Sequence, residues 1–277
     1  MNATERLEHA CADVWPAVTE NTIGEWRLRA AGGFTGRANS ALAAGDPGRP
    51  IGQALTEVRR FAAEHGIPPK LQVVLDSPVE AGLRAWGWVP DTGHPHGHDV
   101  AVLTGPVGGR AGGQDVGADV RVPDEPTAGW WTLSVGSATP DAAQRHVLTH
   151  GGRIGYGVAE RAGNAAGAVR GALAGDLLHV SRLAVAPAHR RQGLAAALMA
   201  GLGTWAARHG ATRCVLQVAR GNHPALALYQ RLGFAEHHGY RYWVPGPAAC
   251  SGSRQPAGSR APGALRGAAG TCKDPFP

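Results

Sequence analysis

Residues 186–199 read APAHRRQGLAAALM: a proline-marked strand end, a turn carrying His189, Arg190 and Arg191, then Gly193 and an apolar run. The stretch before it, DLLHVSRLAV at 176–185, is short and rich in Leu and Val, so a strand should pass through a cationic turn straight into a helix at Leu194. A helix that starts there presents backbone N–H groups with no partner inside the helix, and the positive end of its dipole adds to them. Gly193 lets the backbone approach a ligand closely, Ala195 keeps the next contact small, and Arg190 and Arg191 can add charge-assisted bonds. These features together form a cradle for a pyrophosphate. The Lys-Ser/Thr pair of a P-loop is missing and no GxGxxG follows a first strand, which argues against ATP and dinucleotides.

Reading outward, the later half predicts a strand at 119–122, helices at 127–134 and 140–150, and strands at 152–160, 165–175 and 176–185. A helix at 194–209, a strand at 214–218, a helix at 224–232 and a last strand around 240–244 follow. The order implies an α/β chain with a mixed sheet flanked by helices. The pattern occurs twice. FAAEHGIPPKLQVV from Phe61 parallels WAARHGATRCVLQV from Trp205, and SPVEAGLRAWGW from Ser77 parallels HPALALYQRLGF from His223. Both copies run helix, His-Gly stop (His65-Gly66, His209-Gly210), apolar strand, proline-started helix and Gly-aromatic exit. Two domains of one architecture are expected: 1–104, then a glycine-rich linker at 105–117, then 118–246. The Gly/Ala/Pro/Ser-rich tail at 247–277 cannot repay its ordering entropy and is expected to be disordered.

Composition narrows the class. The chain has 277 residues, enough for two ordinary cores, and a net charge of +6. Arg254, Arg260, Arg266 and Lys273 fall in the tail and the other arginines are spread singly, so no nucleic-acid stripe is formed. No stretch approaches the roughly 20 apolar residues of a membrane span, and the start lacks a secretory layout. A cytoplasmic protein is expected. Cys11, Cys214, Cys250 and Cys272 have neither CxxC nor metal-ligand spacing, and Cys214 reads as a core residue. HPHGH (His94, His96, His98) is a loop by its Pro and Gly, with no cysteine or carboxylate pair beside it, so no metal is expected. His237-His238 reads as surface or site edge, and the tryptophans, including Trp86, Trp88, Trp130, Trp131 and Trp205, read as core.

The cradle resembles that of the GNAT superfamily of acyl-CoA-dependent N-acyltransferases. Arg190-Arg191-Gln192-Gly193-Leu194-Ala195 meets the signature Arg/Gln-x-x-Gly-x-Gly/Ala, after Val185-Ala186-Pro187. Asn222, Ala225, Leu228-Tyr229 and Gly233-Phe234 nearly match its second motif, so the joint resemblance covers 180–234. The whole chain is similar to a tandem actinobacterial-type subgroup in which a degenerate GNAT-like N-terminal half, here with WRLRAAGGFTGRANS (26–40), precedes the active one. The first half runs GDPGRPIGQAL where the cradle would be, so it should not bind CoA but pack on the second half and wall the substrate site.

The resemblance implies two GNAT-like domains in tandem, each a mostly antiparallel mixed sheet flanked by helices. It implies transfer of an acetyl or short acyl group from acetyl-CoA, as co-substrate, to a primary amine on a small molecule or peptide, by direct attack, in a monomer or homodimer. Gln192, Gly193, Leu194 and Ala195 would hold the pyrophosphate with Arg190 and Arg191; Leu183, Ala184 and Val185 would pair with the pantetheine arm where the sheet splays. Asn222 would bond the arm or cap its helix, and Tyr229 would protonate the departing thiolate. Some relatives place a Glu after the LQV strand, where this chain has Ala219; Asp176, His179 and Glu160 remain as general-base candidates. The competing expectation is a catalytically weak CoA-binding regulatory module.

Overall fold

The computed structural model describes residues 1–94, 97–108 and 117–247. Most of the glycine-rich linker (109–116), the tail from 248 and His96 lie outside the described residues.

The first half opens with α1 (Ala3–Asp13), whose start is fixed by a reciprocal capping box between Asn2 and Glu5. Strands β1 (Thr19–Ile23), β2 (Trp26–Ala30) and β3 (Ala41–Ala43) follow, then α2 (Ile51–Glu64), β4 (Leu71–Val74), α3 (Pro78–Leu83), β5 (Trp88–Pro90) and β6 (Asp99–Gly105). The second half runs β7 (Asp119–Arg121), α4 (Ala128–Val135), α5 (Ala142–Thr149), β8 (Arg153–Arg161), β9 (Asn164–Ala174), β10 (Leu177–Val185), α6 (Leu194–Arg208), β11 (Arg213–Ala219), α7 (His223–Arg231) and β12 (Ala235–Pro245).

The internal repeat is physical. β3 pairs parallel with β4, and β10 pairs parallel with β11. Each of these two connections carries a crossover helix, α2 or α6. Both helices end alike: the Nδ1 atoms of His65 and His209 lie 2.9 and 2.8 Å from the carbonyl oxygens of Phe61 and Trp205. Gly66 and Gly210 then leave in the left-handed conformation, at φ 63° and 88°. Helix α6 lies close on β9 because that strand is kept small. A Cβ at Gly167 would stand 2.8 Å from Leu198, and one at Gly171 2.7 Å from Leu202.

The two halves do not keep their own last strands. Among the described residues the sheet has twelve strands, with eleven in the order β1-β2-β3-β4-β12-β6-β11-β10-β9-β8-β7 and β5 pairing with β12 off that path. Strand β6, from the first half, pairs antiparallel with β11 of the second, from Cys214↔Gly105 to Ala219↔Val100. Strand β12, at the end of the second half, pairs antiparallel with β4 of the first, from Tyr240↔Val74 to Trp243↔Leu71. The sheet is therefore not divided at 105–117: strands from either side of that stretch are interleaved in it. Trp243 accordingly fills the first half's core beside Trp26 and Trp88, while Leu103 sits in the second half's core beside Leu216.

A buried polar chain also crosses the halves. Arg29 donates to Gln72 at 2.8 Å, Gln72 donates to the fully buried Glu8 at 2.5 Å, and His238 Nε2 lies 2.8 Å from Glu8. His238 is thus tied to a core carboxylate, while His237 beside it is exposed, as expected of a surface residue. Its strand begins at Ala235, earlier than the 240–244 expected, because the first residues pair with β6 across a bulge between Glu236 and His238. Trp86 is the exception among the tryptophans: it is 54% exposed, its ring lying over Gly52 of α2.

Asp176 lies in the turn before β10, at the end remote from Val185. Its carboxylate takes a forked pair of bonds from Arg213 (2.9 and 3.1 Å) and one from Thr212 (2.7 Å), holding the start of β10 against β11. These donors hold the carboxyl far below its ordinary value, Arg213 most of all.

Two expectations follow from this architecture. Residues 1–104 or 118–246 expressed alone leave β4 or β11 as an open edge and strip a core of its exchanged strand. Each piece should lack cooperative unfolding by circular dichroism, and a cooperatively folded isolated half would contradict the exchange. The depressed carboxyl of Asp176 stabilises the fold above about pH 4, its unfolded value. That contribution is lost as pH falls through the lower folded value. The urea midpoint of Asp176→Asn should be slightly below that of the parent at pH 7, as for a surface pair, and the two should converge towards pH 2.

Candidate functional site

Pairing between β10 and β11 stops at Val180↔Leu216. Beyond that point β10 follows β9, through a register shift between Ser181 and Ala184 in which Arg182 takes φ 55°. Strand β11 stays on β6 as far as Ala219. The sheet therefore opens into a V, and the edge of Leu183–Val185 that faces β11 has no strand partner. A cleft of about 1290 Å³ passes through the opening.

The cleft leads to the start of α6. Gly193 is the cap residue at φ 82°, with no side-chain cap bond and no acidic residue in the first turn. Bonding inside the helix begins with the Ala197 amide donating to Gly193, so the amides of Leu194, Ala195 and Ala196 have no partner within it. Arg191 is also left-handed, at φ 63°, and Arg190 Nε donates to Val185 at 3.2 Å, bending the basic turn back over the strand end. Leu183, Ala184, Val185, Arg190, Arg191, Gly193, Leu194 and Ala195 all line the cleft. The Gln192 side chain turns away, to Arg161 and the carbonyl of Ala188.

Helix α7 forms the other wall. Asn222 caps it by accepting from the Ala225 amide at 3.2 Å, and also lines the cleft, so capping leaves it beside the cavity. Tyr229, in the last turn of the helix, is buried among apolar residues and lines the cleft as well. Burial pushes its hydroxyl up to about 12, so it holds its proton through the physiological range.

The remaining nominees stand elsewhere. His179 is fully buried behind the cleft wall, and burial, with Arg37 and Arg170 nearby, holds it well below the usual histidine range. Its Nε2 lies 3.4 Å from Arg37, so the neutral ring presents its lone pair to the guanidinium. Glu160 is paired with Arg121, and Asp176 with Arg213. Neither lines the cleft, and among the described residues no carboxylate does.

Sequence reasoning missed the residues that the first half sends across. Thr35 and Arg37 line the cleft from the 31–39 loop. Asn39 pins this loop with four bonds: it accepts from the amides of Ala31 and Gly33 and donates to the carbonyls of Phe34 and Thr35. The bonds hold Thr35 at φ 62°, a strained value for a β-branched residue. Arg37 donates to Gln217 on β11 and stacks 4.3 Å from the ring centre of Trp15. Nothing in the spacing of GGFTGRAN indicates a loop that reaches a strand 180 residues later.

Comparison with known proteins agrees with this geometry. Residues 3–243 match the family described as "Probable histone acetyltransferase Rv0428c C-terminal". An uncharacterised N-acetyltransferase of Bacillus subtilis, YobR, is 26% identical over 251 residues, covering 86% of this chain and 98% of that protein. A GCN5-related N-acetyltransferase from Kribbella flavida superposes with a TM-score of 0.67 at 19% identity, over 89% of this chain and 97% of its own. A tandem GNAT protein from the clavulanic acid biosynthesis pathway gives 0.53 at 20% identity, over 74% of each chain. Among the described residues, no helix is long and apolar enough to cross a membrane. The chain belongs to the family described as "Probable histone acetyltransferase Rv0428c C-terminal", and its repeated halves on one mixed sheet share the fold of the tandem GNAT structure.

Proposed function

We propose that the cleft binds acetyl-CoA and transfers its acetyl group, or a similarly short acyl group, to a primary amine by direct attack. The observation that carries this reading is the parting of β10 from β11 at Val180 and Leu216, which opens onto the uncapped start of α6. In this reading the pyrophosphate rests on the amides from Gln192 to Ala195, with Arg190 and Arg191 neutralising its charge. The pantetheine amides extend the sheet along Leu183, Ala184 and Val185, satisfying an edge that otherwise lacks a partner. Asn222 bonds the same arm from the other wall.

The amine nitrogen attacks the thioester carbonyl carbon and the C–S bond breaks. The sulfur takes the Tyr229 proton, which returns from solvent, and the amine releases its surplus proton to water. A phenol held up to about 12 is a donor throughout this sequence. With no carboxylate along the cleft among the described residues, the acceptor reaches the thioester as free amine supplied by its own ionisation. His179 remains outside the chemistry as the partner that orients Arg37.

Gly193→Val places a branched side chain on a left-handed backbone at the mouth of the cradle. The Kd for acetyl-CoA, measured by calorimetry, should rise at least tenfold; unchanged affinity in a folded variant would dismiss the cradle. Tyr229→Phe keeps the packing and removes the donor, so kcat should fall about 100-fold with the KM for acetyl-CoA unchanged. Free-thiol release against a panel of amines reads this directly. The alkaline rise of kcat/KM should shift with the pKa of the amine offered, and no loss of the Tyr229 proton should intrude below about pH 11.

A further inference from the structure

A second group of cations meets the cleft away from the α6 cradle. Val180, Leu216 and Val218 face the core under α6, whereas Trp15 and Phe34 belong to the core on the opposite face of the sheet. Arg37 and Arg182 line the cleft from that opposite face. The Arg182 guanidinium lies 4.8 Å from the Phe34 ring centre and 6.0 Å from that of Trp15, and its buried Nε has no partner. Behind them Arg170, fully buried, lies 5.3 Å from Trp15; it donates to the carbonyls of Leu148 and His150, and its Nη1 has no partner.

Three guanidiniums thus surround one indole, contacted by π faces, backbone carbonyls, the amide oxygen of Gln217 and Nε2 of His179. Two other arginines partly withdrawn from water are neutralised by carboxylates, and a fully buried third reaches one only through an amide side chain. Arg27 pairs with Glu20 and Asp13, Arg241 with Asp99 and Glu80, and Arg29 reaches Glu8 through Gln72. Among the described residues, Arg37, Arg170 and Arg182 have no carboxylate within ion-pair distance. Burial first, and then repulsion from the neighbouring guanidiniums, brings Arg182 down to about 10 and Arg170 to about 9, which leaves both charged at neutral pH. Converging positive charges at a cavity, partly desolvated and without a counter-ion, are relieved by an anion that enters it. The planar fork of arginine fits a carboxylate.

We propose that Arg37 and Arg182 form a carboxylate-binding subsite, and that the acceptor is an amino acid whose carboxylate they hold while its amine faces the thioester. The amine half rests on the transfer reading above; the subsite does not. A polyamine or a lysine-rich peptide would instead bring positive charge into a cluster that already lacks a counter-ion. Trp15 and Gln217 position Arg37, and the Asn39-pinned loop fixes it before any ligand arrives.

The test is calorimetric titration of the full-length protein, loaded with free CoA, using the twenty L-amino acids, their α-amides and spermidine. At least one amino acid should bind tenfold or more tightly than its amide. Arg37→Gln and Arg182→Gln should each erase that preference while changing amide affinity less than twofold. The Tm of Arg182→Gln should not fall, because an uncompensated charge is removed; should it fail to fold, Arg37→Gln in the loop carries the comparison. Equal or tighter binding of amides or spermidine, no binding by any amino acid, or equal losses for acid and amide would each overturn the assignment. Thiol release from acetyl-CoA and from succinyl-CoA separates the sources of the carboxylate. A preference for succinyl-CoA with neutral amines, lost in the arginine variants, would place the carboxylate on the acyl donor and end the amino-acid proposal. Amino-acid binding without thiol release would count against the transferase reading and leave the subsite standing.

Discussion

The antiparallel pairing of β6 with β12 is the constraint on which the rest depends. Each strand comes from the end of one half and sits in the sheet of the other, so β4 and β11 are both completed by borrowed strands. A half without its borrowed strand would expose a row of unpaired backbone groups and lose large side chains from its core, Trp243 from one and Leu103 from the other. The exchange also fixes the angle between the halves. It brings the 31–39 loop onto the face of the sheet where β10 and β11 part, and so makes the first half a wall of the cleft.

At the cleft the backbone is held away from its relaxed conformations. Thr35, Arg182 and Arg191 are left-handed without being glycine, and Gly193 occupies the same region. Each such non-glycine residue costs about 1–3 kcal/mol and persists where its surroundings over-determine it. Asn39 does this for Thr35 and the β9 ladder on either side does it for Arg182. The result is an opening in the sheet, an edge without a partner and a helix start without a cap. All three are unfavourable taken singly, and in the reading proposed above one extended, anionic ligand satisfies them together.

The uncapped helix start at Gly193 was legible because its physics is local. A strand, a basic turn, Gly193 and a helix are contiguous in the chain, and free amides at a helix start follow from backbone geometry alone. The repeat was legible for the same reason: a His-Gly stop and a proline-started helix are short-range devices, and the order they imply, helix, strand, helix, is found in both halves. Asp176 and His179 show the limit. Each stands on or beside the strand that enters the site, but alternation and distance along β10 send one into a surface ion pair with Arg213 and bury the other behind Arg37.

By itself, the sequence determined the α/β class, the two-fold repetition of the chain, the basic turn into a helix at Gly193 and the helix that carries Tyr229. Only the tertiary structure decided which strands complete which sheet, where β10 leaves β11, and that Arg37 meets Arg182 around Trp15. Local choices depend on bonds between residues a few positions apart, which composition and spacing record. Strand exchange and charge convergence depend on contacts between residues more than a hundred positions apart, and those are settled by which packing buries the most surface while leaving the fewest polar groups unpaired.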